Sequence, residues 1–121
     1  MTITILGQLP TLNEANNSAR THWAVASKMK KEATDLVAWQ CKGKPKITKP
    51  IMITFHWFYS TKHDFDNIRS ACKFVLDGMV ESKMLPDDSQ KWVLGFNGDY
   101  FIKVPKGEEK VVVEYEEWES T

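Results

Sequence analysis

Residues 51–92 read IMITFHWFYSTKHDFDNIRSACKFVLDGMVESKMLPDDSQKW. The first nine residues predict a strand. Ile51, Ile53, Phe55, Trp57 and Tyr59 share one face, and Met52, Thr54, His56 and Phe58 share the other. Bulky residues on both faces place it centrally in a sheet. The spacing of Ile68, Cys72, Val75, Leu76, Met79 and Val80 then predicts a helix over about 66–82, with Asp64 or Asp66 at its N-cap. Pro86 ends this segment, and Asp87-Asp88-Ser89-Gln90 starts a turn.

Outward from that unit, residues 2–7 alternate and predict a first strand. Residues 11–17 (TLNEANN) read as a polar loop, and Asn17 or Ser18 can cap a long helix over about 19–41. Val25, Met29, Ala33, Leu36 and Val37 form its apolar stripe, and Gly43 stops it. Residues 92–104 predict a strand that Asn97-Gly98 can split into a hairpin, and Asp99 reads as a turn residue beside it. Residues 109–117 predict the last strand, with Val111, Val113 and Tyr115 facing inward. The order β-α-β-α-β-β implies one compact α/β (α+β) domain over 1–121, a mixed sheet of about four strands packed with two helices.

Composition narrows the function classes. No stretch approaches the roughly 18 apolar residues of a membrane span, and the N-terminal residues lack the pattern of a signal peptide. Cys41 and Cys72 form no CxxC pair, so a zinc or disulfide framework is not indicated, and reduced thiols in the cytoplasm are expected. Net charge is zero but uneven. Residues 1–106 hold 15 basic and 10 acidic side chains, whereas 107–121 hold 1 basic and 6 acidic. Arg20, Lys28, Lys30, Lys31 and the lysines up to Lys49 give a basic stretch suited to phosphate.

Two acidic clusters flank the second helix, Asp64-Phe65-Asp66 and Asp87-Asp88. On an extended segment, residues two apart point the same way, so Asp64 and Asp66 can share one cation. Hard carboxylate oxygens suit magnesium, with manganese as a substitute. Such an ion can hold a phosphodiester and activate water. Lys73 lies seven positions after Asp66, on nearly the same helix face, where it could neutralise charge on phosphate. Each feature has a structural alternative. The aspartates can serve only as caps and turns, and Lys73 can pair with Asp77 at i,i+4. His56 reads as a sheet-face residue and His63 as a loop residue that could reach substrate.

HDFDN, then KFVLDGM, then LPDDSQ resembles the RusA family of crossover junction (Holliday junction) endodeoxyribonucleases, typical of phages and prophages. The resemblance spans nearly the whole chain, and its specific part is 63–93. It implies a small homodimeric magnesium-dependent nuclease that resolves four-way DNA junctions in recombination and repair within the bacterial host. It implies Asp64, Asp66 and Asp88 as catalytic metal ligands, with Asp87 as the alternate. The family lysine falls three positions after the Asn, where this chain has Ser70; Lys73, one turn later, would take its role. Arg20, Lys28, Lys30, Lys31, Lys62 and Arg69 are the candidate DNA contacts. Two rival readings are a non-catalytic phage DNA-binding protein and a phage structural or interaction protein.

Overall fold

The computed structural model describes residues 1–21 and 23–118; at 18–21 it describes the backbone alone. Its elements are β1 (Thr2–Leu6), α1 (Leu12–Thr21), α2 (Trp23–Cys41), β2 (Ile51–Tyr59), α3 (Phe65–Arg69), α4 (Cys72–Glu81), β3 (Val93–Lys103) and β4 (Lys110–Glu117). The four strands form one mixed sheet in the order β1-β4-β2-β3. β4 runs antiparallel to both β1 and β2, and β3 runs parallel to β2. The α+β class and the mixed four-stranded sheet are as the sequence predicts.

β2 is interior, between β4 and β3, for the reason its sequence gives. Ile51, Ile53, Phe55, Trp57 and Tyr59 are all buried, and together with Val111, Val113, Ile3 and Ile5 they form the sheet side of the core. α2 and α4 supply the other side through Val37, Cys41, Val75, Leu76 and Met79. The opposite face of β2 is less covered: Met52, His56 and Phe58 are half-buried, His56 stacks on Tyr100, and Lys110 lies over the Phe58 ring.

Four expectations are corrected. The polar segment 11–17 is not a loop, because α1 starts at Leu12. Thr11 Oγ1 accepts the Glu14 N–H, and its hydroxyl donates to the Glu14 carboxylate. This T-x-x-E pairing satisfies one of the orphan donors, the Glu14 N–H, and starts the helix seven residues early.

The apolar stripe of α2 is rotated. Ala26, Ala33, Val37 and Cys41 are buried, whereas Val25 and Leu36 are exposed. Small residues lie on the buried stripe because α4 approaches closely at Gly78, whose missing Cβ would sit 2.5 Å from Val37 Cβ.

The predicted helix over 66–82 is two helices, α3 and α4, and with α1 and α2 the described residues hold four helical segments rather than the two expected. At the break the Ser70 hydroxyl donates to the Asn67 carbonyl, and the Ala71 N–H reaches Ile68 O in a tightened turn.

Asn97-Gly98 does not split β3 into a hairpin. β3 returns parallel to β2 after the helical crossover, and the register slips between Ile53 and Thr54, so Asn97 bulges and Gly98 pairs with Thr54.

Burial also sets the thiol chemistry. Cys41 is 1% exposed, and burial pushes its thiol up from the ordinary 9.0 to about 11. A raised thiol stabilises the fold fully below the unfolded value near 9.0, and that contribution is lost as pH rises toward about 11. Burial pushes the Tyr59 phenol up as well, adding loss in the same alkaline direction. The expected result is a melting temperature that falls across that interval, with a shallower fall in Cys41→Ala. A calorimetric pH series checks it, and an unchanged slope in the variant would discount the thiol.

Candidate functional site

Every candidate residue from Lys62 to Asp88 lies on the crossover between parallel β2 and β3. The chain leaves β2 at Tyr59, whose hydroxyl donates to Leu9 O at 2.7 Å and so fixes where the acidic loop begins. Asp64 occupies the N-cap position of α3 with extended backbone (φ −70°, ψ 148°), yet its side chain makes no cap hydrogen bond. Its carbonyl accepts the Asn67 and Ile68 N–H groups instead. Both Asp64 and Asp66 are exposed. Asp66 is helical, so the two-residue alternation expected of an extended segment does not hold. The first turn of α3 presents the two carboxylates instead.

Asn67 completes the DxDN run in a structural role. It is 7% exposed, and its Oδ1 accepts the Asn13 N–H at 2.8 Å, locking the start of α1 to α3.

The second acidic cluster divides by role. Asp87 Oδ1 accepts the Asp88 N–H at 2.9 Å, which fixes the turn. Asp88 faces α4, where its Oδ2 is 3.7 Å from Lys73 Nζ. Lys73 also donates to Asp77 at 2.9 Å, so the i,i+4 pair expected as one alternative does form. Lys73 thus bridges Asp77 and Asp88. Its pKa is raised, chiefly by the hydrogen bond it donates to Asp77, with Asp88 adding less. The lysine is 68% exposed, so this pairing contributes little to stability. Its consequence is positional, since it holds the Asp88 loop against the first turn of α4.

Among the described residues, no three His, Cys, Asp or Glu side chains are gathered into a group that could hold a metal ion. The crossover therefore carries Asp88 to Lys73 but does not assemble Asp64, Asp66 and Asp88 into one cluster. The donor set still suits a hard cation. Two exposed carboxylates in one turn match the one or two protein ligands that magnesium commonly takes while keeping its waters.

The expected DNA contacts fall into three groups. Lys28 and Lys31 sit on α2 in exposed pairs with Glu32 (3.8 Å) and Asp35 (2.8 Å). Lys30 shares a cleft of about 340 Å³ with Lys73, Asn16 and Ser70, and Lys62 stands two residues before Asp64. Arg69 is tied to Asp99 at 2.8 Å and lies over the Phe96 ring. The Arg20 side chain lies outside the described residues.

Asp99 is the residue the sequence reading missed. It is on β3, not in a turn, and its side chain is 13% exposed. One oxygen accepts the indole N–H of fully buried Trp57 at 2.9 Å, and the other accepts Arg69 Nε. It joins β2, β3 and α3, the helix whose N-terminus carries Asp64 and Asp66. The available signal was a buried Trp on the neighbouring strand, because its N–H must find an acceptor. Asp99→Ala is expected to cost about 2–3 kcal/mol, the penalty of an orphaned buried donor, whereas Asp99→Asn keeps an acceptor and costs less. Urea denaturation measures the difference. Equal stability of the two variants would show that Trp57 finds another partner.

No protein-family model matches the chain, and no curated protein matches it at a significant level. Among the described residues, no helix is long and apolar enough to cross a membrane.

Proposed function

We propose that this chain is a magnesium-dependent, structure-selective DNA endonuclease of the crossover junction type, working as a homodimer in the bacterial cytoplasm. The observation that carries the reading is the content of one crossover: two exposed carboxylates at the start of α3, followed by an Asp77–Lys73–Asp88 bridge between α4 and the loop after it. That order matches the RusA-like pattern, and the chemistry is that of phosphodiester hydrolysis.

Asp64 and Asp66 would hold the cation; Asp88, which stands at Lys73, is the candidate third ligand. A bound magnesium ion, or manganese in its place, supplies Lewis-acid stabilisation and a more acidic water. Lys73, 68% exposed between two carboxylates, would turn to a phosphate oxygen and offset charge developing in the transition state. Lys30 lines a cleft with it and gives a second cation for the backbone. Lys28, Lys31, Lys62 and Arg20 would add sequence-independent phosphate contacts. Arg69 contributes differently, because its partner Asp99 makes it a support for the acidic loop.

The test is cleavage of a synthetic four-way DNA junction with magnesium, against a linear duplex and an EDTA control. Paired, symmetric nicks in the junction alone support the reading. Salt-sensitive binding without cleavage in magnesium or manganese would favour a DNA-binding protein without catalysis. Neither binding nor cleavage would favour a structural or interaction component.

A further inference from the structure

A second cleft adjoins the acidic loop. It encloses about 320 Å³ and lies where β2 and β3 end, against the segment Thr61–His63 that leads into Asp64. Its floor is apolar and aromatic: Tyr59 and Ile68 are buried, and Phe101 forms one wall at 37% exposure. Lys62, His63 and Lys103 stand at its rim. The His63 imidazole is oriented by a 2.6 Å hydrogen bond with the Thr61 hydroxyl and packs edge-on against Tyr59. Phe65, the residue between the two candidate metal-holding aspartates, is 72% exposed and packs on Phe101 with ring centroids 5.6 Å apart. Two aromatic rings beside exposed carboxylates are costly to leave in water without a role.

We infer that this cleft receives a single unstacked DNA nucleotide next to the scissile phosphate, its base stacked on Phe101 and its phosphate held by Lys62 and Lys103. The charge pattern selects this occupant. The exposed Phe101 ring accepts any base face, and cations at the rim meet the phosphate that must accompany it. A purely apolar partner would leave three polar rim groups without counterparts. The inference rests on the nuclease reading for its context, since branched DNA offers unpaired or readily unstacked bases at its centre. It adds a mode of recognition that phosphate contacts alone do not provide.

The experiment separates base from charge. A labelled thymidine oligomer and an abasic oligomer of the same length are titrated in EDTA, so that cleavage plays no part. Wild type is expected to bind the thymidine oligomer about 10-fold more tightly, the scale of one base–aromatic stack. Phe101→Ala and Phe101→Leu should both lose that preference, the latter keeping apolar bulk in case the former does not fold. Lys62→Ala should weaken both oligomers alike and lower the salt slope by about one. No preference in wild type, or one that survives both Phe101 variants, overturns the inference. If the Phe101 variants change only the oligomeric state, the aromatic pair belongs to a contact between copies and the inference again fails. Junction cleavage without base preference would leave the nuclease reading standing and remove the cleft. Base preference without cleavage would do the reverse.

Discussion

Asp66→Asn is expected to lower magnesium-dependent junction cleavage by about 1,000-fold, with binding in EDTA unchanged or tighter. A lost metal ligand removes several kcal/mol of transition-state stabilisation, and each 1.36 kcal/mol is tenfold in rate. The substitution is structurally mild. Asp66 Oδ1 accepts the Asn67 N–H at 2.9 Å, and an amide oxygen can do the same. It also removes a negative charge facing phosphate, so binding should not suffer. Asp64→Asn is expected to match it, because that side chain caps nothing. Asp88→Asn divides two roles. A loss as large as that of Asp66→Asn assigns Asp88 to the metal; a smaller loss equal to that of Lys73→Ala assigns it to positioning the lysine. Asp87→Asn should have little effect, its side chain being turned onto the next N–H. Cleavage by Asp66→Asn at the wild-type rate would end the carboxylate mechanism.

The second large effect lies in the packing beneath the site. Gly78→Ala is expected to destabilise the protein by about 2 kcal/mol or more, although Ala is about 1 kcal/mol better than Gly in a helix interior. The added Cβ would lie 2.5 Å from both Val37 Cβ and Cγ1 and 3.0 Å from the Ala38 nitrogen. Val37 Cβ and the Ala38 nitrogen are fixed by the backbone, so no rotamer change relieves the contact and the two helices must separate. Overpacking of this kind costs 1–3 kcal/mol and sometimes more, which outweighs the propensity gain. A melting temperature lower by roughly 5–10 °C is the corresponding readout. A higher one would mean that α2 and α4 do not meet this closely. Because α4 also carries Lys73 and Asp77, the variant should weaken cleavage even where it remains folded.

What the sequence made legible follows its strongest physical signals. β2 was readable because five large residues alternate onto one face, and β4 because three do. The split of the 66–82 helix was hidden, since its apolar period continues through Ser70 and Ala71 while one hydroxyl redirects a carbonyl. The start of α1 was marked by Thr11 and Glu14, but the polar residues after them masked it. At the site, the residue types and order were legible and their grouping was not. Whether Asp88 meets Asp66 or Lys73 depends on how a loop after Pro86 folds back, which local spacing does not encode. Asp99 escaped notice because its partners, Trp57 and Arg69, are 42 and 30 positions away.

The place of β4 in the sheet has a consequence for the chain as it is made. β4 is the last strand in sequence, yet it lies between β1 and β2 and pairs with both. Until residues 110–117 have emerged from the ribosome, β1 has no strand partner and β2 keeps one open apolar edge. The β2–β3 unit that bears the acidic residues can form earlier, but β1 must wait for β4. During that interval the nascent protein exposes the kind of edge that chaperones cover and neighbouring polysomal chains can capture. Burst-labelled translation should therefore show full protease resistance arriving late, after β4 is released.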